Sequence, residues 1–244
     1  MRRLSPASPA VLGYFMSLRY PLLLGAVLLL ICPARLGAQQ NSSSPFGTDQ
    51  LWEFGVWGGE SFGKQEGQAF GETQLTMAGF NAGRVIHQSA LDSGMRRSLE
   101  YMIELDPAFF VRRTHPAYGG GFSPIGLKFN FAPRRNGRYR PYLEMNGGAM
   151  FTQQNVPQGR TDNFNFTAAF GPGVMIALSR TQALSLGLRY WHLSNANLGY
   201  NNPSFNTIQF VVGYHWLLTG RGGRQKQAAA GAPAAGSTTS TASQ

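Results

Sequence analysis

Residues 183–194, ALSLGLRYWHLS, and residues 206–217, NTIQFVVGYHWL, decide the fold. In the first, Leu184, Leu186, Leu188 and Tyr190 share one face while Ser185, Gly187 and Arg189 share the other, with Trp191 following. In the second, Ile208, Phe210, Val212, Tyr214 and Trp216 oppose Thr207, Gln209, Gly213 and His215, with Val211 as the exception. A period of two belongs to a strand, because successive side chains leave opposite faces of the pleat. A soluble barrel needs its bulky residues inside, and here the bulky face opposes a small or polar one. That is the pattern of a barrel set in lipid, apolar outside and polar in the lumen. Tyr190, Trp191, Tyr214 and Trp216 suit interfacial aromatic girdles. A secreted soluble sandwich or a lipocalin-like barrel allows the same strand count and stays open at this point.

Elsewhere in the chain, further alternating stretches are separated by Gly, Pro and Asn clusters, and no long helical period competes with them. They predict strands near 51–59, 72–87, 97–111, 122–132, 139–153, 163–178, 183–194 and 206–217. The expected fold is all-β, an eight-stranded antiparallel up-and-down transmembrane β-barrel of outer-membrane type over residues 51–218, preceded by a lead segment at 39–50. Most strands reach the nine or so residues that a tilted strand needs to cross a bilayer. Glu53 is assigned to the lumen. Glu100, Glu104 and Glu144, interspersed with Arg84, Arg112, Arg140 and Arg189, are expected to form an interior ion-pair network. An eight-stranded interior is about filled by its own side chains, which argues against a diffusion pore.

The ends explain the charge. The 244-residue chain carries 21 Lys and Arg against 11 Asp and Glu, a formal +10, which first suggests a nucleic-acid partner. Residues 1–38 read as a secretory signal peptide: cationic Arg2, Arg3 and Arg19, an apolar core from Leu22 to Ile31, and Leu36-Gly37-Ala38 before Gln39. The apolar core is too short for a membrane anchor. Met16 offers an alternative start, and Ile31 and Pro33 flank Cys32 in a way that does not suit lipid attachment. With the signal removed no cysteine remains. Residues 219–244 are a disordered low-complexity tail of Ala, Gly, Ser, Thr and Gln, without the apolar residues a core requires. The two ends hold seven of the ten excess positive charges, leaving +3 on residues 39–219, so a nucleic-acid partner is not expected. The Arg134, Arg135, Arg138 and Arg140 cluster falls in the turn after the fourth strand, on the periplasmic side.

Between the two deciding strands lies YWHLSNANLGYNNPSFN, residues 190–206. His192 and Ser194 are two apart, so they share a face about 7 Å apart at Cα. Counting from Leu184 and from Ile208, that face and the face of Asn206 are both apolar. If the hairpin pairs residues whose numbers sum to 398, Asn206 lies opposite His192. A hydroxyl, a base and an orienting acceptor then meet on the lipid-facing side of one rim, and Asn195, Asn197 and Asn202 surround them with amides able to donate to an oxyanion. On spacing alone, turn chemistry for Ser194 and the asparagines, with His192 as an interfacial residue, remains open. Both termini of such barrels normally lie on the periplasmic side, which turns this rim to the outer leaflet, where the esterified lipid is lipopolysaccharide.

HLSNANLGYNN, residues 192–202, resembles the His-x-Ser-Asn-Ala-x-Leu motif of the PagL family of lipid A 3-O-deacylases, also called acyloxyacyl hydrolases. The match falls on His192, Ser194, Asn195, Ala196 and Leu198. The resemblance implies an eight-stranded outer-membrane barrel with a lipid-facing His–Ser–Glu triad that hydrolyses the ester-linked acyl chain at position 3 of lipid A without metal or other cofactor. By that likeness Ser194 is the nucleophile, His192 the base and then acid, and Asn195 and Asn202 belong to the oxyanion region. Two positions depart from the pattern: Asn206 stands where the family has its triad Glu, and Asn197 where it commonly has Gly. The expected substrate partner is lipid A, and a homodimer is compatible with the reading. A non-catalytic structural or adhesive barrel with a degenerate triad, and a lipid acyltransferase using the same trio, are the alternatives. His87, His115 and His215 lack metal-ligand spacing with nearby acidic residues, and the loops 60–71 and 154–162 are candidates for headgroup contact.

Overall fold

The computed structural model describes residues 45–219, apart from 48, 66–72, 91–95, 114, 133–136, 158–161 and 203. The expected signal segment, most of the lead segment and the expected tail lie outside the described residues. Eight strands follow one another: β1 (Gln50–Gln65), β2 (Thr73–Ala90), β3 (Arg96–Arg112), β4 (Ala117–Ala132), β5 (Tyr139–Thr152), β6 (Phe164–Ala177), β7 (Gln182–Ser194) and β8 (Phe205–Thr219). Each pairs antiparallel with the next, and β8 pairs with β1 to close the barrel. The fold is thus the eight-stranded outer-membrane type that the alternation predicts.

Two boundaries differ from the sequence expectation by five residues or more. β1 continues to Gln65, so positions 60–65 are strand and not part of a loop. β4 begins at Ala117, five residues before the expected start at 122, and includes Gly119, Gly120 and Gly121. These glycines read as a break but serve close approach: a Cβ at Gly119 would lie 2.1 Å from the Phe151 carbonyl oxygen on β5. The neighbouring β3 shifts register between Asp106 and Phe109, around Pro107, which cannot donate to the ladder.

Along β7 the even-numbered residues face outward and the odd-numbered ones inward. Leu186, Leu188 and Tyr190 are exposed while Ala183, Ser185, Arg189, Trp191 and Leu193 are buried. Trp191 therefore does not join a girdle; its ring packs inside, against Phe109 at 5.8 Å and Phe205 at 6.4 Å. Trp52, Phe54, Tyr118, Tyr139 and Trp216 are among the aromatics that do face outward.

The interior has three tiers. Near the N-terminal rim, Phe46, Tyr142, Met175, Ala177, Ala183 and Leu217 form a small apolar cluster, and Gln50 Nε2 ties the lead segment to the Pro45 and Arg180 carbonyls. A larger cluster, with Leu75, Phe109, Val111, Met150, Trp191 and Phe205, fills the opposite end. Between them runs a polar belt in which Lys128, Arg140 and His215 surround Glu53, and Arg189 bridges Glu104 and Glu144. The expected network is present with changed membership. Lys128 joins it. Arg84 stands outside, its guanidinium 5.3 Å over the Trp52 ring, and Arg112 pairs with Glu60 near the far rim. Arg140, counted with the turn cluster, reaches into the barrel because its strand position points inward toward Glu53.

Candidate active site

β7 ends at Ser194 and β8 begins at Phe205, and the pairing between them sets the register of the site. His192 lies opposite Asn206, as the sum of 398 predicts, and His192 Nδ1 is 2.7 Å from Asn206 Oδ1. His192, Ser194 and Asn206 all point outward and are half-buried, while Trp191, Leu193 and Phe205 between them are locked into the interior cluster. The packed inward residues hold the backbone still, and the outward ones meet lipid. On the other flank Ala168 of β6 lies opposite His192 and Phe166 opposite Ser194, so a small side chain adjoins the imidazole.

Ser194 Oγ makes no hydrogen bond with another described residue. Its proton is uncommitted, and His192 stands one pleat away on the same face. Nucleophile–base contacts are often long in ligand-free enzymes and tighten around substrate. Asn206 carries two further bonds, accepting from the Tyr190 hydroxyl at 2.7 Å and donating from Nδ2 to Ser204 Oγ at 3.4 Å. Sequence reasoning missed Tyr190 in this setting. Its position two residues before His192 puts it on the same face, and that spacing was the available signal.

The β7–β8 loop brings Asn195 and Asn202 together, but bonded to each other: Asn195 N–H donates to Asn202 Oδ1 at 3.0 Å. The buried Asn195 side chain is spent within the loop, donating to the Asn201 carbonyl at 2.8 Å and accepting from Asn197 N–H at 3.1 Å. The amide that follows Ser194 is thus already satisfied by an oxygen of the loop. Ala196 and Asn197 both have positive φ, 52° and 62°. Asparagine is one of the few non-glycine residues that enters this region readily, which explains how Asn197 takes the place of a glycine. Gly199 is needed for another reason, because a Cβ there would lie 2.6 Å from Asn195 Nδ2.

Below the trio an apolar groove runs along the outward face, lined by Leu143, Met145, Phe170, Pro172, Leu188 and Ile208, with Tyr190 at its margin. Strand pairing lapses there between Phe170 and Gly173 on β6. Among the described residues no three His, Cys, Asp or Glu side chains converge as a metal site.

A family model described as lipid A 3-O-deacylase (PagL) matches residues 34–215. The chain belongs to the PagL family. Among solved structures it is similar to the outer membrane enzyme PagL, at 17% identity over 64% of this chain and 97% of that one, with a TM-score of 0.43. Neisserial surface protein A is similar at 13% identity over 68% and 97%, TM-score 0.44, and the Ail protein of Yersinia pestis at 11% over 70% and 100%, TM-score 0.43. No curated protein sequence matches significantly. In this PagL-family chain the family match spans β1 to β7 and most of β8, including all of the β7–β8 loop.

Proposed function

We propose that this protein is an outer-membrane esterase that removes an ester-linked acyl chain, at the 3-O position, from lipid A. The reading is carried by one observation: in a PagL-family barrel, a His192–Asn206 hydrogen bond of 2.7 Å lies on the outward face beside Ser194. Residues 1–38 serve export, and the rim carrying the site faces the outer leaflet.

In the proposed reaction Ser194 Oγ attacks the acyl carbonyl carbon while His192 Nε2 takes the hydroxyl proton. The carbonyl oxygen becomes an oxyanion, held by the Asn195 N–H once Asn202 Oδ1 gives way. Collapse breaks the bond to the sugar oxygen, which takes the proton from His192, and the acyl chain remains on Ser194. Water, deprotonated by His192, then releases a hydroxy fatty acid and restores the serine. The outward groove below the trio receives the acyl chain, so the substrate reaches the serine without passing through the barrel.

Lipid A incubated with wild type should lose one hydroxyacyl chain by mass spectrometry, and Ser194→Ala should yield none. Equal product from both proteins would remove Ser194 from the mechanism. The competing reading, a non-catalytic barrel, draws on Asn206: an amide orients imidazole but cannot stabilise imidazolium with a full negative charge. Restoring a carboxylate by Asn206→Glu should raise kcat by about tenfold, since a charge-assisted hydrogen bond is roughly twice as strong as a neutral one. A wild type inert on every acylated lipid, and unchanged by Asn206→Glu, would favour the non-catalytic reading.

A further inference from the structure

Asn206 Oδ1 takes two hydrogen bonds at once, from His192 Nδ1 and from the Tyr190 hydroxyl, each 2.7 Å long. Tyr190 shares the outward face of β7 with His192, and its ring packs against Phe170 at 5.3 Å. The acceptor is an amide, and an amide has two unlike ends where a carboxylate has two equivalent ones. With the oxygen toward His192, Nδ1 carries the proton and Nε2 has a free lone pair for the serine hydroxyl. With the amide turned over, its NH₂ would donate to Nδ1, the proton would sit on Nε2, and the imidazole would present the wrong tautomer to Ser194. A His–Asn pair therefore needs an orienting contact that a His–Glu pair does not.

Tyr190 supplies a bias of the required sign. Against the turned-over amide the phenol oxygen would have to accept from Nδ2, which it does poorly because a lone pair is drawn into the ring, and the donation its proton now makes to Oδ1 would be lost. The bond from Asn206 Nδ2 to Ser204 Oγ, at 3.4 Å, agrees with the observed orientation but is long, and an aliphatic hydroxyl, unlike a phenol, accepts as readily as it donates, so Ser204 selects neither end of the amide.

We propose that Tyr190 is a positioning residue of the esterase site, whose hydroxyl holds the Asn206 amide with Oδ1 toward His192 and so selects the Nδ1–H tautomer that leaves Nε2 free as the base. The inference rests on the serine–histidine reading above and explains how this chain works with Asn where its family has Glu.

Tyr190→Phe keeps the ring and its contact with Phe170 and removes only the hydroxyl. It should lower kcat for ester hydrolysis about five- to tenfold with KM unchanged, the size of one lost hydrogen bond. In the Asn206→Glu background the same change should cost less than about twofold, because a carboxylate has no wrong end. A second readout does not depend on turnover. Nitrogen NMR of isotope-labelled histidine, assigned with His192→Gln and recorded with the imidazole neutral, should show the Nδ1–H form in wild type and a mixture in Tyr190→Phe. Equal losses in both backgrounds, or an unchanged tautomer with an unchanged rate, would overturn the proposal. If wild type hydrolyses no ester, the NMR comparison still decides: a tautomer that shifts in Tyr190→Phe supports the positioning role while the esterase reading fails.

Discussion

Replacing His192 with alanine is expected to lower lipid A deacylation on the order of 10⁴-fold while leaving the barrel folded. Without the imidazole, Ser194 loses the base proposed for it, and a serine hydroxyl alone is a poor nucleophile at neutral pH. The loss should fall on kcat, since the outward groove proposed to receive the acyl chain is untouched. Adding Ser194→Ala to His192→Ala should cost little more, because the two side chains act as one unit. Stability should change by less than about 1 kcal/mol, since His192 points outward and holds a single hydrogen bond. Kinetics on lipid A in mixed micelles, with unfolding measured alongside, separates the two effects. A large loss of stability would mean that His192 supports the fold.

The second large effect is expected inside the barrel. Arg189, only 3% exposed, donates to both Glu104 oxygens at 3.1 and 3.0 Å and to Glu144 at 2.6 Å, and its guanidinium lies 4.8 Å from the Trp57 ring. Arg189→Met preserves volume but leaves two buried carboxylates facing each other without a cation. Breaking a buried pair from one side costs about 3–5 kcal/mol, mostly the penalty of the charge left behind. Adding Glu104→Gln and Glu144→Gln removes that charge and should recover most of the loss, because replacing all partners of a buried ion pair is often near neutral. Urea unfolding in lipid vesicles, followed by tryptophan fluorescence, reads both variants. An Arg189→Met protein that unfolds with the wild type would show that the belt adds nothing to stability.

The interior and the site differ in how openly the sequence displays them. The lipid-facing pattern is legible because two environments demand opposite residue types on alternate positions, and a one-residue slip would bring every side chain of β7 to the wrong face. The same parity placed Asn206 opposite His192, since the register of a hairpin follows from a single sum. Trp191 misled because an aromatic residue near a strand end suits an interfacial girdle and an interior plug equally well, and only its odd position distinguishes them. Gly119 to Gly121 misled because a glycine run marks either a turn or a place where strands press together. Lys128 lies in a strand flanked by Leu127 and Phe129, and nothing local announces its distant partner Glu53. The mutual bond of Asn195 and Asn202 depends on two consecutive residues of positive φ, a loop geometry that no periodicity encodes.

These features divide the labour within one short strand. The odd residues of β7 close the interior through Arg189, Trp191 and Leu193, and the even ones, Leu188, Tyr190, His192 and Ser194, face outward. A rigid packed interior is what lets an outward-facing trio keep its geometry without a pocket around it.

Activation of an outward-facing Ser194 by His192 can be read by exposing the folded barrel to a fluorophosphonate and mapping the modified peptide by mass spectrometry. Ser194 is expected to take the phosphonyl group in wild type and to remain unmodified in His192→Ala. An unmodified Ser194 in a wild type that deacylates lipid A, or equal modification with and without His192, would contradict this activation.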